Sequence, residues 1–340
     1  MKTIFNADHK LHDAAFELIG GKMMPAFECP RRAEIVLEKV TEAKLGPIIA
    51  PSPKGISAAA KVHDPKFVGF LEQAWQLWFE EHGDSDALPM TWPARSLRQV
   101  EPQSIDGKLG FYSFDAGCGL TKTSFKAIAA GVETALTGVD LILAGEQSAF
   151  ALSRPPGHHA TADQMGGYCY LNNAAIAAQV LADAGRRVAI LDVDYHHGNG
   201  TQAIFYGRGD LFVTSIHGHP TQEYPYFLGY ADETGAGAGE GANLNLPLYW
   251  GSAWDVYGEA LDKACEAIKA FGADTLVVSL GLDTFEEDPI SRFKLKSENY
   301  LRMGERIRKL GLQTLFIFEG GYAVEALGIN TANVLIGFES

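Results

Sequence analysis

The sequence predicts an α/β fold, a parallel sheet with helices on both faces, and three observations predict it. Short continuous apolar runs recur through the middle and end of the 340-residue chain. Stretches with helical periodicity lie between those runs. Glycines stand where the helices should stop. A strand that is apolar on both sides needs cover on both faces, and intervening helices supply it in a parallel sheet. No internal repeat or low-complexity linker divides the chain, so residues 1–340 read as one domain.

In chain order, the strand candidates are Asp140–Ala144, Phe150–Leu152, Val188–Leu191, Leu211–Ile216, Thr275–Leu280 and Thr314–Phe318. Helical patterns cover Asn173–Ala184, Trp254–Phe271 and Ser297–Leu310, with Gly185 and Gly272 as stops. The stretch from His82 to Gly119 differs. It is rich in glycine and proline and shows no sustained periodicity, so it reads as a long loop excursion at about 82–119. Its aromatics Trp92, Phe111, Tyr112 and Phe114 argue that it packs against something, either over a site or against a second subunit.

Composition narrows the function classes. Hydrophobic residues make up 46% and charged residues 21%, as expected of a folded protein. The net charge is −14 and no run of lysine and arginine appears, so nucleic acid and anionic membranes are not expected partners. Cations, polyamines included, suit such a protein better. The four cysteines, Cys29, Cys118, Cys169 and Cys265, form no C-x-x-C pair. Neither a disulfide framework nor a thiolate zinc site is expected, and a reducing compartment fits. The opening residues lack an apolar signal core and no apolar run reaches the length of a membrane span, so the expected location is the cytoplasm.

Ligands of parallel sheets bind beyond the carboxyl ends of the strands. Five strand candidates end there in polar, titratable or glycine-rich clusters. Phe150–Leu152 runs into Ser-Arg-Pro-Pro-Gly-His158-His159, and Val188–Leu191 into Asp192-Val-Asp194-Tyr-His196-His197-Gly-Asn199. Leu211–Ile216 precedes His217, Thr275–Leu280 precedes Gly-Leu-Asp283, and Thr314–Phe318 precedes Glu319-Gly-Gly-Tyr322. Asp192, Asp194 and His196 are spaced by two and would project to one side of an extended chain. Alone, the two aspartates read as caps of a turn. His196 and Asp283, which ends an apolar strand and opens no clear helix, shift the reading to a divalent cation held by Asp194, His196 and Asp283. Such a ligand set leaves positions for water and substrate, as a hydrolytic site requires. Zinc is the expected ion, with iron(II), cobalt(II) or manganese suited to the same donors.

The tandem His158 and His159, beside a metal, are natural acid and base candidates. Asp192 and Asn199 are available to orient them. Tyr322, released by two glycines, suits an oxyanion donor, although a wedge packing the loop would also place a tyrosine there.

These motifs, with Asp8-His9-Lys10, Phe16–Gly21, Tyr224–Tyr230 and Asp283–Ser291, resemble the zinc-dependent histone deacetylase superfamily, and within it the bacterial acetylpolyamine amidohydrolases. The resemblance implies the arginase–deacetylase fold, an eight-stranded parallel sheet. It implies zinc on Asp194, His196 and Asp283, catalytic roles for His158, His159 and Tyr322, and a substrate tunnel lined by Gly167, Tyr168 and Tyr224. It also implies structural potassium, one ion at Asp192, Asp194, His196, Ser215 and Ile216, and a second at Phe205, Arg208 and Leu211. Arginases carry extra carboxylates where this chain has Gly198 and Phe285, so one catalytic metal is expected. The expected substrate is a small acetylated polyamine, with an acetyl-lysine protein as the alternative. The expected acidic residues at the tunnel mouth are Glu17, Asp106 and Asp115. The excursion should meet its counterpart in a homodimer.

Overall fold

A computed structural model describes residues 1–340. The strands are β1 (Lys2–Phe5), β2 (Phe16–Ile19), β3 (Lys22–Pro25), β4 (Ile48–Ile49), β5 (Ser148–Leu152), β6 (Val188–Asp192), β7 (Phe212–Gly218), β8 (Asn243–Leu248), β9 (Thr275–Leu280) and β10 (Gln313–Phe318). The helices are α1 (Arg31–Glu42), α2 (Pro65–His82), α3 (Ile105–Phe111), α4 (Ser124–Leu143), α5 (Asn173–Asp183), α6 (Asn199–Phe205), α7 (Trp254–Phe271), α8 (Ser297–Arg308) and α9 (Val324–Glu339). The main sheet has eight strands in the order β4-β1-β5-β10-β9-β6-β7-β8. Every pairing in it is parallel. This is the eight-stranded parallel sheet that the family resemblance implies.

The period of two along each strand explains the layering. On β10, Leu315 and Ile317 face one core with α2, α4 and α5, while Phe316 and Phe318 face the other with α1, α7, α8 and α9. β5, β6 and β9 divide their side chains in the same way. Each strand is thus apolar on both sides, which is why the runs read as continuous rather than alternating.

The register positions the site. Phe318 pairs with Leu280, and Ser279 with Asp192, so β10, β9 and β6 end side by side. β5 and β7 flank them. The segments after these five strands therefore emerge next to one another along one sheet edge.

Two expectations are corrected. Asp140–Ala144 is not a strand but the end of α4 and its cap. Ala135, Leu136, Val139 and Ile142 are buried at helical spacing, and a short apolar run does not by itself separate a strand from a buried helix. The strand begins after the turn at Gly145, whose φ is 99°. The 82–119 excursion is not loop throughout, because α3 lies within it. Gly107 and Gly110 lower its helical signal. Gly110 is there for packing: a Cβ on it would stand 1.6 Å from the Thr91 carbonyl oxygen. The aromatics do pack, with Tyr112 stacked on Phe70 and Trp92 Nε1 donating to Ser113 Oγ.

Candidate active site

The innermost part of the site is made by the ends of β6 and β9. Ligand atoms of Asp194, His196 and Asp283 lie within 4.8 Å of one another, all buried. Backbone amides hold the carboxylates. Asp194 accepts from His196 N at 2.9 Å and from Gly320 N at 2.9 Å, and Asp283 accepts from Tyr195 N at 2.7 Å. His196 Nδ1 lies 2.9 Å from Asp283 Oδ2 and 3.4 Å from Asp194 Oδ1. The backbone closes on this group because glycines allow it. A Cβ on Gly320 would stand 2.4 Å from Asp194 Oδ2 and 2.7 Å from Asp283 Oδ2, and one on Gly281 would stand 1.8 Å from Asp194 Oδ2.

The donor set fits a divalent cation. Burial, and then the charge of Asp194, hold Asp283 up to about pH 7. Burial opposes the charge of Asp194 too, but the facing His158 and His196 pull its pKa down. Two carboxylates crowded in the interior need a counter-charge, and a cation coordinated by oxygen and imidazole nitrogen would supply it.

The expectation of one shared side for Asp192, Asp194 and His196 is corrected. β6 ends at Asp192 and the chain then bends. Asp192 turns behind His158, with Oδ2 2.9 Å from His158 Nδ1, while its Oδ1 accepts from Asp194 N. His159 Nδ1 lies 2.7 Å from Asn199 Oδ1. The tandem rings are 4.0 Å apart, so their backing differs sharply over a short distance. Burial opposes a charge on His158, but Asp194, Asp192 and Glu319 outweigh it and push its pKa up to about 10. Burial, then the charges of His158 and His196, push His159 well below the ordinary histidine value.

Tyr322 follows β10 and reaches the same cavity as His159 and His196. Its loop is anchored from α1. Arg32 Nε donates to the Gly321 carbonyl at 2.6 Å, Arg32 Nη2 donates to that of Glu319 at 2.6 Å, and the guanidinium sits 4.6 Å from the Tyr322 ring centre. Glu28 joins Arg32 to Arg154, the arginine of the Arg-Pro-Pro-Gly-His-His run. Burial would raise Glu28, but Arg154 and Arg32 hold it down at about 2. The Glu319 carboxylate accepts from Gly157 N at 2.6 Å and His158 N at 3.2 Å, tying the tyrosine loop to the histidine loop.

The cavity measures about 370 Å³, and Gly167, Tyr168 and Tyr224 form its walls. Gly167 has φ +53°, and a Cβ there would stand 2.4 Å from His159 Cδ2. Each wall tyrosine is held by a carboxylate. Tyr168 donates to Glu17, and Tyr224 donates to Asp115 at 2.6 Å. A third carboxylate, Glu223, accepts from Tyr195 and Trp250 at 2.6 and 3.1 Å. Glu17, Asp115 and Glu223 all line the cavity. Their protein partners are neutral hydroxyl, indole and backbone N–H donors.

Asp106 does not join them. It sits in the first turn of α3, 3.0 Å from His82 Nε2 and more than half exposed, because α3 packs against α2 away from the cavity. Ser215 and Ile216 lie on β7 beside β6, where Ser215 pairs with Asp192 and its Oγ meets His217 Nδ1 at 2.8 Å. Phe205 ends α6, Leu211 is buried, and Arg208 is paired with Asp210. Sequence reasoning missed Glu28, Arg32 and Glu223, and gave no role to the Glu319 carboxylate. Arg154 and Glu319 stood inside motifs already singled out. Glu223 directly precedes Tyr224, but nothing in its spacing marks it.

Residues 26–337 match the profile of the histone deacetylase domain. The chain belongs to the histone deacetylase family. As a member of that family it is a hydrolase of linear amides, and its family is metal-dependent. It is 57% identical over 340 residues to acetylpolyamine amidohydrolase 2 of Pseudomonas aeruginosa, covering 100% of this chain and 99% of that protein. It is 48% identical over 338 residues to the acetylpolyamine amidohydrolase of Mycoplana ramosa, covering 99% of each. The crystal structure of acetylpolyamine aminohydrolase from Burkholderia pseudomallei superposes with a TM-score of 0.95 at 36% identity, covering 100% of this chain and 99% of that one.

Proposed function

We propose that this chain hydrolyses N-acetylated polyamines of the acetylputrescine, acetylcadaverine and acetylspermidine type to acetate and the free amine. One observation carries the reading: the buried Asp194–His196–Asp283 group opens into a cavity whose three carboxylates are partnered only by neutral donors. Such walls attract a cationic chain. The names of the Pseudomonas and Mycoplana relatives agree with it.

Zinc held by Asp194, His196 and Asp283 would polarise the acetyl carbonyl and lower the pKa of a water. The other roles fall to the chain's own residues. Tyr168 and Tyr224 sandwich the alkyl chain. Tyr322 donates its hydroxyl to the carbonyl oxygen as negative charge develops there. His159, backed by Asn199 and held neutral by burial and the charge of His158, takes the proton of the attacking water, while His158, kept charged by Asp194 and Asp192, stabilises the negative charge that develops beside it. The C–N bond breaks when the departing amine is protonated, a step assigned to His159, whose Nδ1 is engaged by Asn199 and whose Nε2 remains for the substrate.

Two potassium ions belong to the same proposal, at Asp192, Asp194, His196, Ser215 and Ile216, and at Phe205, Arg208 and Leu211. So does a homodimer, supported by Met90, Leu97 and Val100, which are 80%, 53% and 50% exposed on the excursion. No helix is long and apolar enough to cross a membrane. The cytoplasmic assignment rests on the four free cysteines.

The test is the ratio of kcat/KM for N-acetylputrescine to that for an acetyl-lysine peptide, on zinc-loaded protein. A ratio well above one is expected. A clear preference for the peptide would make this a protein deacetylase with the same chemistry.

A further inference from the structure

The backbone that carries Tyr322 has a second anchor besides Arg32. Asp288 lies in the loop after β9, five residues beyond Asp283. Its Oδ2 accepts from Tyr322 N at 2.7 Å and from Ala323 N at 3.1 Å. Its Oδ1 accepts from Ile290 N at 3.1 Å, and Ile290 lines the cavity. The residue is only 6% exposed, and its hydrogen-bond partners are backbone amides. Closing a loop needs no charge there, and burying a carboxylate without a cation is costly. Such costs persist where they serve a site.

We propose that Asp288 is a positioning residue. One of its oxygens fixes the backbone from which the Tyr322 phenol projects, and the other fixes the wall at Ile290, so that the oxyanion donor and the tunnel hold one relative height. The inference rests on the reading of Tyr322 as that donor. A merely structural alternative exists, because the same bonds satisfy free amides just ahead of α9.

A double-mutant cycle separates the two. kcat and KM for N-acetylputrescine are measured on zinc-loaded wild type, Asp288→Ala, Tyr322→Phe and the double variant. Asp288→Ala is expected to lower kcat by about a hundredfold, the effect of displacing a reacting group by about 1 Å. In the Tyr322→Phe background the same change should matter less than about threefold, because the donor is already gone. Asp288→Asn, whose amide oxygen can still accept from Tyr322 and Ala323, should fall between wild type and alanine, and it carries the cycle if the alanine variant does not fold. An equal loss in both backgrounds, or an unchanged kcat in Asp288→Ala, overturns the inference and leaves Tyr322 in its role. Wild-type turnover by Tyr322→Phe overturns that role, and the inference with it.

Discussion

Tyr322 and Arg32 divide two tasks within one contact. The phenol faces the cavity, while the guanidinium behind it holds the carbonyls of Glu319 and Gly321. Tyr322→Phe should keep its metal and lose about 2.7–4 kcal/mol of transition-state stabilisation, the cost of removing one oxyanion donor. Metal content with single-turnover rates checks this, and wild-type turnover contradicts it. Arg32→Met should act on stability, because it leaves Glu28 buried with one partner fewer. A loss of about 3–5 kcal/mol in chemical denaturation is expected, and an unchanged midpoint would show that Arg154 suffices alone. The motif residues were legible because their chemistry has few uses: tandem histidines and strand-end aspartates rarely meet for packing. Arg32 was not, since an arginine in an amphipathic helix looks like any solvated charge until the fold brings Glu319 and Gly321 to it.

At the level of elements, legibility followed burial. Trp254–Phe271 was read to the residue because its apolar face repeats cleanly and Gly272 ends it in the left-handed conformation, φ 76°. β9 was equally clear and β10 was read to within one residue, both being mostly apolar and buried. β1 and β4 are too short to give a pattern, and α4 escaped the sequence reading altogether, its last residues reading as a strand, because it is buried nearly all round. The excursion at 82–119 shows a different limit. Its glycines look like loop residues, yet Gly110 is required by the close approach of Thr91. Leu109 of α3 is fully buried, so Leu109→Ala should destabilise the protein by about 2–5 kcal/mol. A loss below about 0.5 kcal/mol in urea denaturation, as expected of an exposed position, would return the segment to a loose loop. Asp106 illustrates the same point for function: the family resemblance implies a place at the tunnel mouth, but α3 turns it toward His82.

For the whole molecule, buried neutral histidines set the acid limit. Burial lowers His9, His12 and His63 to about 4. Their unfolded values lie near 6.5, so the unfolded state binds more protons below that pH. The stability they contribute is present above pH 6.5 and is lost as pH falls through about 4. Glu28, held at about 2, acts in the same direction lower down, its contribution present above about 4.5 and lost toward 2. Glu319 and Asp288, raised by burial to about 7 and 6, act in the opposite sense. The histidine contribution is therefore read as the difference in urea midpoint between zinc-loaded wild type and His63→Gln, which should fall from pH 7 to 4.5. A difference that does not change with pH would mean that His63 takes up its proton alike in the folded and unfolded states. The central claim is that one catalytic cation sits on Asp194, His196 and Asp283. The direct measurement is zinc titration of chelator-stripped protein, following bound metal and hydrolysis of N-acetylputrescine together, beside Asp283→Ala. Activity should return in proportion to metal and saturate at one zinc per chain, with Asp283→Ala neither holding zinc tightly nor recovering. Turnover by the stripped protein, saturation at two ions, or a metal-replete Asp283→Ala would contradict the account.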